Sequence, residues 1–92
     1  MVNTWPGNQP EDYQNLSEAN RRFLDLWIKR RLAPIRTLTR RRMMSSYDLK
    51  EIMDRETNVY VTNGQFKGAM QHAGYKAHNT SEVNWRYYVR VV

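Results

Sequence analysis

Gln65, Lys67, Gln71 and His72 lie in the run NGQFKGAMQHAG, residues 63–74, and are the side chains here whose types and spacing suit molecular recognition. At about 100° per residue on a helix, Lys67, Gln71 and His72 project away from Phe66, Ala69, Met70 and Ala73, with Gln65 at the flank. Lysine reaches phosphate or guanine, and glutamine pairs with adenine through two hydrogen bonds. Gly64 and Gly68 share that polar face, and their missing side chains let the backbone approach a surface closely. A helix of this kind suits a DNA major groove. The competing explanation is a solvated helix face that tolerates two glycines.

Charge supports the first explanation. Fifteen Lys and Arg against nine Asp and Glu give a net charge of +6. Residues 1–20 hold three acids and no base, whereas residues 21–42 hold nine bases and only Asp25. So dense a basic block attracts polyanions, and its Arg36, Arg40, Arg41 and Arg42 lie on a segment read as a loop or short strand. Adjacent arginines there can contact successive phosphates or enter a narrow minor groove. With Lys76 beyond the helix, the expected nucleic-acid contact set is Arg36, Arg40, Arg41, Arg42, Gln65, Lys67, Gln71, His72 and Lys76.

Catalytic and metal chemistry find little support. There is no cysteine, and the two histidines, His72 and His78, have no carboxylate at a ligand-like offset. No nucleophile elbow, phosphate-binding loop or dinucleotide fingerprint occurs. Lys50 with Asp54, and Glu51 with Arg55, are four apart and read as surface ion pairs. The expectation is a protein that is not an enzyme and takes no metal or cofactor. No apolar run approaches a membrane span and the N-terminus lacks a secretory pattern, so a cytoplasmic location is expected.

The elements that must position these residues follow from periodicity. Residues 1–15 carry two prolines and a glycine without helical spacing, and predict a flexible N-terminal arm, with Trp5 and Tyr13 as docking aromatics. Residues 16–92 predict a single domain. Its first helix, over Ser17–Leu32, has Phe23, Leu24, Trp27, Ile28 and Leu32 on one side, starts at Ser17 and is ended by Pro34. That aromatic stripe is core, or in part a homodimer surface through Phe23, Trp27 and Ile28. Ser45 caps a second helix that buries Leu49, Ile52 and Met53, and Thr57-Asn58 breaks it. Val59–Val61 then alternates as a short strand, Thr62 or Asn63 caps the third helix, and Gly74 stops it. Val83–Val92 alternates strictly, with Trp85, Tyr87, Val89 and Val91 on one face and Arg86, Tyr88 and Arg90 on the other, and Val59–Val61 is its simplest partner.

The runs SSYDLKEIMDRE and YVTNGQFKGAMQHAGY, within residues 45–75, resemble a pattern in small winged-helix-like proteins of bacterial mobile elements, such as phage genes and integron gene cassettes. The order of helices and strands is similar to that of winged-helix proteins, with one departure: a single strand, not a hairpin, follows the third helix. The resemblance implies a fold and a genomic setting, and carries no functional residues across. The expected fold class is therefore α+β and mainly helical, a winged helix-turn-helix with three helices and a small antiparallel sheet. The expected function is DNA binding by a regulator or accessory protein of a mobile element. The alternatives are RNA binding, to which an exposed Arg86, Tyr88 and Arg90 face would contribute, and a protein-interaction module docking on a host protein.

Overall fold

Each α-helix starts where the sequence supplies an oxygen for its unbonded amides. In the computed structural model, which describes residues 7–36 and 43–92, the Ser17 hydroxyl accepts from Asn20 N at 3.1 Å and opens α1, Glu18–Arg31. Ser45 accepts from Asp48 N at 3.0 Å and opens α2, Ser46–Thr57. Thr62 accepts from Gln65 N at 3.1 Å and opens α3, Asn63–His72, with the Gln65 side chain accepting in return from Thr62 N at 2.9 Å. The stops are equally local. Asn58 ends α2 in the left-handed region at φ 58°. At the end of α3, Gly74 at φ 92° donates to the Gln71 carbonyl and Tyr75 N donates to that of Met70, the paired bonds of a Schellman turn.

The described residues form an α+β fold of three α-helices, one 3-10 helix and a three-stranded antiparallel sheet. The strands are β1, Leu32–Pro34, β2, Met43–Ser45, and β3, Arg86–Val91, in the order β1-β3-β2. Hydrogen-bond parity explains that order. Ile35 N donates to Tyr88 O and Val92 N to Arg31 O, so the even-numbered residues of β3 serve β1. On the other edge Ser46 N donates to Trp85 O, and Met44 faces Tyr87 in the register. One alternating strand is thus held on both sides by three-residue strands that flank residues 37–42.

This corrects the expected partner of the C-terminal strand. Val59–Val61 alternates but forms no strand, because the short link between Asn58 and Thr62 is consumed by two helix caps. Val59 N donates to the Thr57 hydroxyl instead of entering a ladder. Val61 is buried for another reason: it precedes the N-cap and Phe66 is the fourth residue of α3, the two positions of a hydrophobic staple.

A core of Leu24, Trp27, Ile28, Leu32, Leu49, Met53, Val61, Phe66, Met70, Trp85, Tyr87 and Val89 fills the space between helices and sheet. Burying large side chains of this kind stabilises by about 1.5–3 kcal/mol each before entropy is counted. Trp27, 7 % exposed, donates from Nε1 to Glu56 at 2.9 Å and meets the Phe66 ring edge-on at 6.3 Å. Ile28 is 1 % exposed. Two of the three residues expected to support a homodimer are therefore already used inside the domain, while Phe23 and Leu26 face outward. Ala73, read as part of the apolar stripe of α3, is also exposed, because it is the C-cap and lies beyond the last buried turn.

The N-terminal segment differs from the expected arm. Pro10–Asn15 forms a 3-10 helix, favoured by proline at its first position and by Asp12 accepting from Gln9 N at 3.4 Å. Tyr13 is buried and docks this helix across α3. Residues 1–6, including Trp5, and residues 37–42 lie outside the described part of the chain.

Candidate nucleic-acid interface

α3 carries four of the nine expected contact residues, and its two glycines decide how it is used. A Cβ added to Gly64 would meet the backbone of Asn8 and Gln9, and one added to Gly68 would meet the Pro10 carbonyl and the Tyr13 side chain. Gly64 N donates to the Gly7 carbonyl at 2.8 Å. Close backbone approach does occur on this face, but the approaching backbone is the chain's own residues 7–13.

Lys67 lies beneath that segment and is fully buried. Its Nζ donates to the Asn8 side-chain oxygen at 2.9 Å and to the Asn8 carbonyl at 3.2 Å, and sits 4.8 Å from the centre of the Trp85 ring. None of these partners is a carboxylate. Burial without a counter-charge pulls its pKa from the ordinary 10.5 down to about 8. The Asn8 oxygen also accepts from Asn63 Nδ2 at 2.8 Å, Asn63 Nδ2 reaches the Asn84 oxygen at 2.9 Å, and Ser46 donates to the Asn63 oxygen at 2.7 Å. The network leaves one group over: Asn8 Nδ2 is buried with no hydrogen-bond partner among the described residues.

Lys67 is thus not on the surface where the helical wheel puts it, and Gln65 is half-buried and engaged in the α3 cap. Gln71 and His72 are exposed at the other end of the helix, and Lys76 is exposed beyond it. The His72 ring stacks on Tyr13 at 5.5 Å, with Nε2 3.7 Å from Asp25. The Tyr13 hydroxyl donates to the same carboxylate at 2.9 Å; burial first, then that bond, push its pKa up to about 12. A shallow groove of about 360 Å³ runs between this cluster and Gln71, but Glu11 lines it, which disfavours an anion there.

Further exposed basic residues come from the sheet and the end of α1. Lys29 and Arg30 are exposed in the last turn of α1, Arg36 is exposed just past β1, and Arg90 is exposed opposite Ala33 in the β1–β3 register. None of the four has a carboxylate partner among the described residues. Their neighbour Arg31 differs: it is bound to Glu56 at 2.7 Å and to the Val92 carbonyl. Hydrogen bonds from Arg31 and then Trp27 hold the Glu56 carboxyl at about 2, well below the usual range. Arg40, Arg41 and Arg42 fall outside the described residues, between β1 and β2.

Lys29, Arg30 and Arg90 are absent from the expected contact set, and Arg90 stands beside β1 only because β3 pairs with that strand. Asn8 is missing from that set altogether. The Lys50 to Asp54 spacing was informative: the pair forms at 3.0 Å, although Lys50 is buried, not on the surface, beneath the Tyr47 and Tyr60 rings. Among the described residues no group of three or more His, Cys, Asp or Glu could hold a metal ion, and no helix is long and apolar enough to cross a membrane. No protein-family model matches the chain, and no curated protein and no solved structure is similar to it.

Proposed function

We propose that this chain is a non-enzymatic, winged-helix-like domain that binds duplex DNA through the phosphate backbone. The observation that carries the reading is the set of exposed cations Lys29, Arg30, Arg36 and Arg90, drawn from α1, the segment after β1, and β3, none of which forms an ion pair among the described residues. Arg40–Arg42 follow in the chain and extend the same charge. The succession of α2, α3 and β3 supports the winged-helix comparison, with β3 in the position of a wing strand. Base reading is left to Gln71 and His72, at the exposed end of α3, and Lys76 adds a backbone contact. The place of such a protein in a mobile element rests on the resemblance of residues 45–75 alone.

The test is fluorescence anisotropy with random-sequence duplex DNA across a salt series. Five phosphate contacts, that of Lys76 included, predict a slope of log affinity on log salt of about −4.5, steeper if Arg40–Arg42 take part. Replacing Arg30, Arg36 and Arg90 together by glutamate should abolish binding without changing the thermal midpoint by much. Absence of binding at low salt refutes the proposal, and preferential competition by structured RNA transfers it to RNA.

A second reading has its own observation. Phe23 and Leu26 are 41 % and 44 % exposed and, with Trp27 and Arg30, line a shallow hollow of about 180 Å³ on α1. A protein partner docking there is favoured if a single stoichiometric protein is retained and nucleic acid is not.

A further inference from the structure

The polar face of α3 has the makings of a contact surface, yet residues 8–13 lie across it. Three observations set this covering apart from ordinary core packing. Gly64 and Gly68 admit the segment by close backbone approach, so little side-chain surface is buried by α3 itself at those positions. The charged group enclosed beneath it, Lys67, has only amide oxygens and an aromatic ring for company. The segment's own Asn8 keeps a buried Nδ2 without a partner. Tyr13 is the one hydrophobic residue of the covering segment in the buried core. Lifting residues 8–13 would return Lys67 and Asn8 to water, and would take Tyr13 out of the core and break its hydrogen bond to Asp25. Segments that contribute a single core residue open more readily than the core itself does.

We propose that residues 8–13 are a displaceable strap, and that its release opens the Gly64, Lys67 and Gly68 face of α3 to the phosphate backbone of duplex DNA. This rests on the DNA-binding reading above and adds its regulation. With the strap down, binding uses the exposed basic residues together with Gln71, His72 and Lys76. With the strap up, the ammonium of Lys67 gains a phosphate partner, and the face vacated by residues 8–13 is open to the sugar-phosphate chain. The strap then competes with DNA for one face, and the affinity of that face is reduced by the fraction of molecules in which it is open.

Gly68→Ala tests this in the full chain. The added methyl falls on the Pro10 carbonyl and the Tyr13 side chain, so it expels the strap, while alanine is the better helix former and strengthens α3. Asn8→Asp is the opposing variant: it gives Lys67 a carboxylate, replaces the unpartnered Nδ2 by an acceptor, and holds the strap down. The two readouts are acetylation of the Lys67 amine, followed by mass spectrometry, and anisotropy with random-sequence duplex DNA. In Gly68→Ala, Lys67 should acetylate at least about tenfold faster, DNA affinity should rise by about tenfold, and the salt slope should steepen by about 0.9. Asn8→Asp should slow acetylation and leave affinity at or below that of the wild type. Lys67 still protected in Gly68→Ala overturns the strap. Lys67 acetylated with no gain in affinity overturns the DNA face while leaving the steep wild-type salt slope, and with it the basic-surface reading, intact. If neither protein binds DNA, both readings fall together.

Discussion

Two lysines are buried in this domain, and they are buried on opposite terms. Lys50 on α2 is 4 % exposed and Lys67 on α3 is 0 % exposed. Burial lowers the pKa of Lys50, but the hydrogen bonds and charges of Asp54 and Glu51 outweigh it, and the net shift is upward. Lys67 has no carboxylate and its pKa falls to about 8. Both lysines sit near aromatic rings, so rings do not make the difference. What differs is the origin of the partner. Asp54 stands one turn away on the same helix, whereas Asn8 arrives from the far end of the chain as part of a separate segment. A charge paired within its own helix needs no partner from elsewhere in the chain. A charge capped by amide oxygens on a strap is still available to a better anion.

The largest effect that sharpens this contrast is the asymmetry of two matched substitutions. Lys50→Met should cost about 2–3 kcal/mol, because it leaves the mostly buried Asp54 carboxylate without its cation. Lys67→Met removes a charge that had no opposite charge, and should change stability by less than about 1 kcal/mol in either direction. Urea midpoints of the two variants decide it, and equal losses would erase the distinction.

Next in size is Asn8→Asp, which should stabilise by about 1–2 kcal/mol by supplying Lys67 with a carboxylate and removing the orphaned Nδ2. The same substitution beside a lysine that already had its acid would repel instead.

The third prediction is a pH profile. Folded Lys67 gives up its proton at about pH 8 and the unfolded lysine only near 10.5, so the unfolded state holds more protons in between and stability rises with pH across that window. Tyr13 works the other way: folded it keeps its proton to about pH 12 and unfolded to about 10, so stability falls above about pH 10. Burial raises Tyr75 and Tyr87 in the same direction. Stability measured by urea at successive pH values should climb from pH 8, peak near 10 and then fall. In Lys67→Met the climb should be gone and the fall retained.

The smallest effect lies at acid pH. Glu56 is held at about 2 by Arg31 and Trp27, against an ordinary 4.5, so its contribution is present above pH 4.5 and lost as pH falls toward 2. Glu56→Gln should flatten that limb slightly and leave the alkaline climb of Lys67 untouched, which separates the two electrostatic systems.

The same contrast marks what the sequence made legible. Caps at Ser17, Ser45 and Thr62, the stop at Gly74, the alternation of β3 and the Lys50 to Asp54 spacing all depend on residues within a few positions of one another, and each is visible in the string. Gly64 and Gly68 did announce a close backbone approach, and the approach is real. The identity of the visitor was not legible, because Asn8 and Tyr13 lie more than fifty residues away in a stretch whose prolines and polar residues read as an arm. Helical periodicity puts Lys67 off the Phe66 and Met70 stripe, but being off the stripe implies solvent only when nothing else covers the helix. The sheet failed for a related reason: Leu32–Pro34 and Met43–Ser45 are too short to show a period of two, while Val59–Val61 showed one without having a partner. The placement of Arg90 beside β1 depends on that unseen pairing.

The most direct test of the account is an NMR titration of the side-chain carbons of Lys50 and Lys67 in the wild-type protein. Lys67 is predicted to titrate at about 8 and Lys50 above the ordinary 10.5. If Lys67 instead titrates at the ordinary lysine value, it is solvated or paired with an acid, and the strap does not enclose an uncompensated charge.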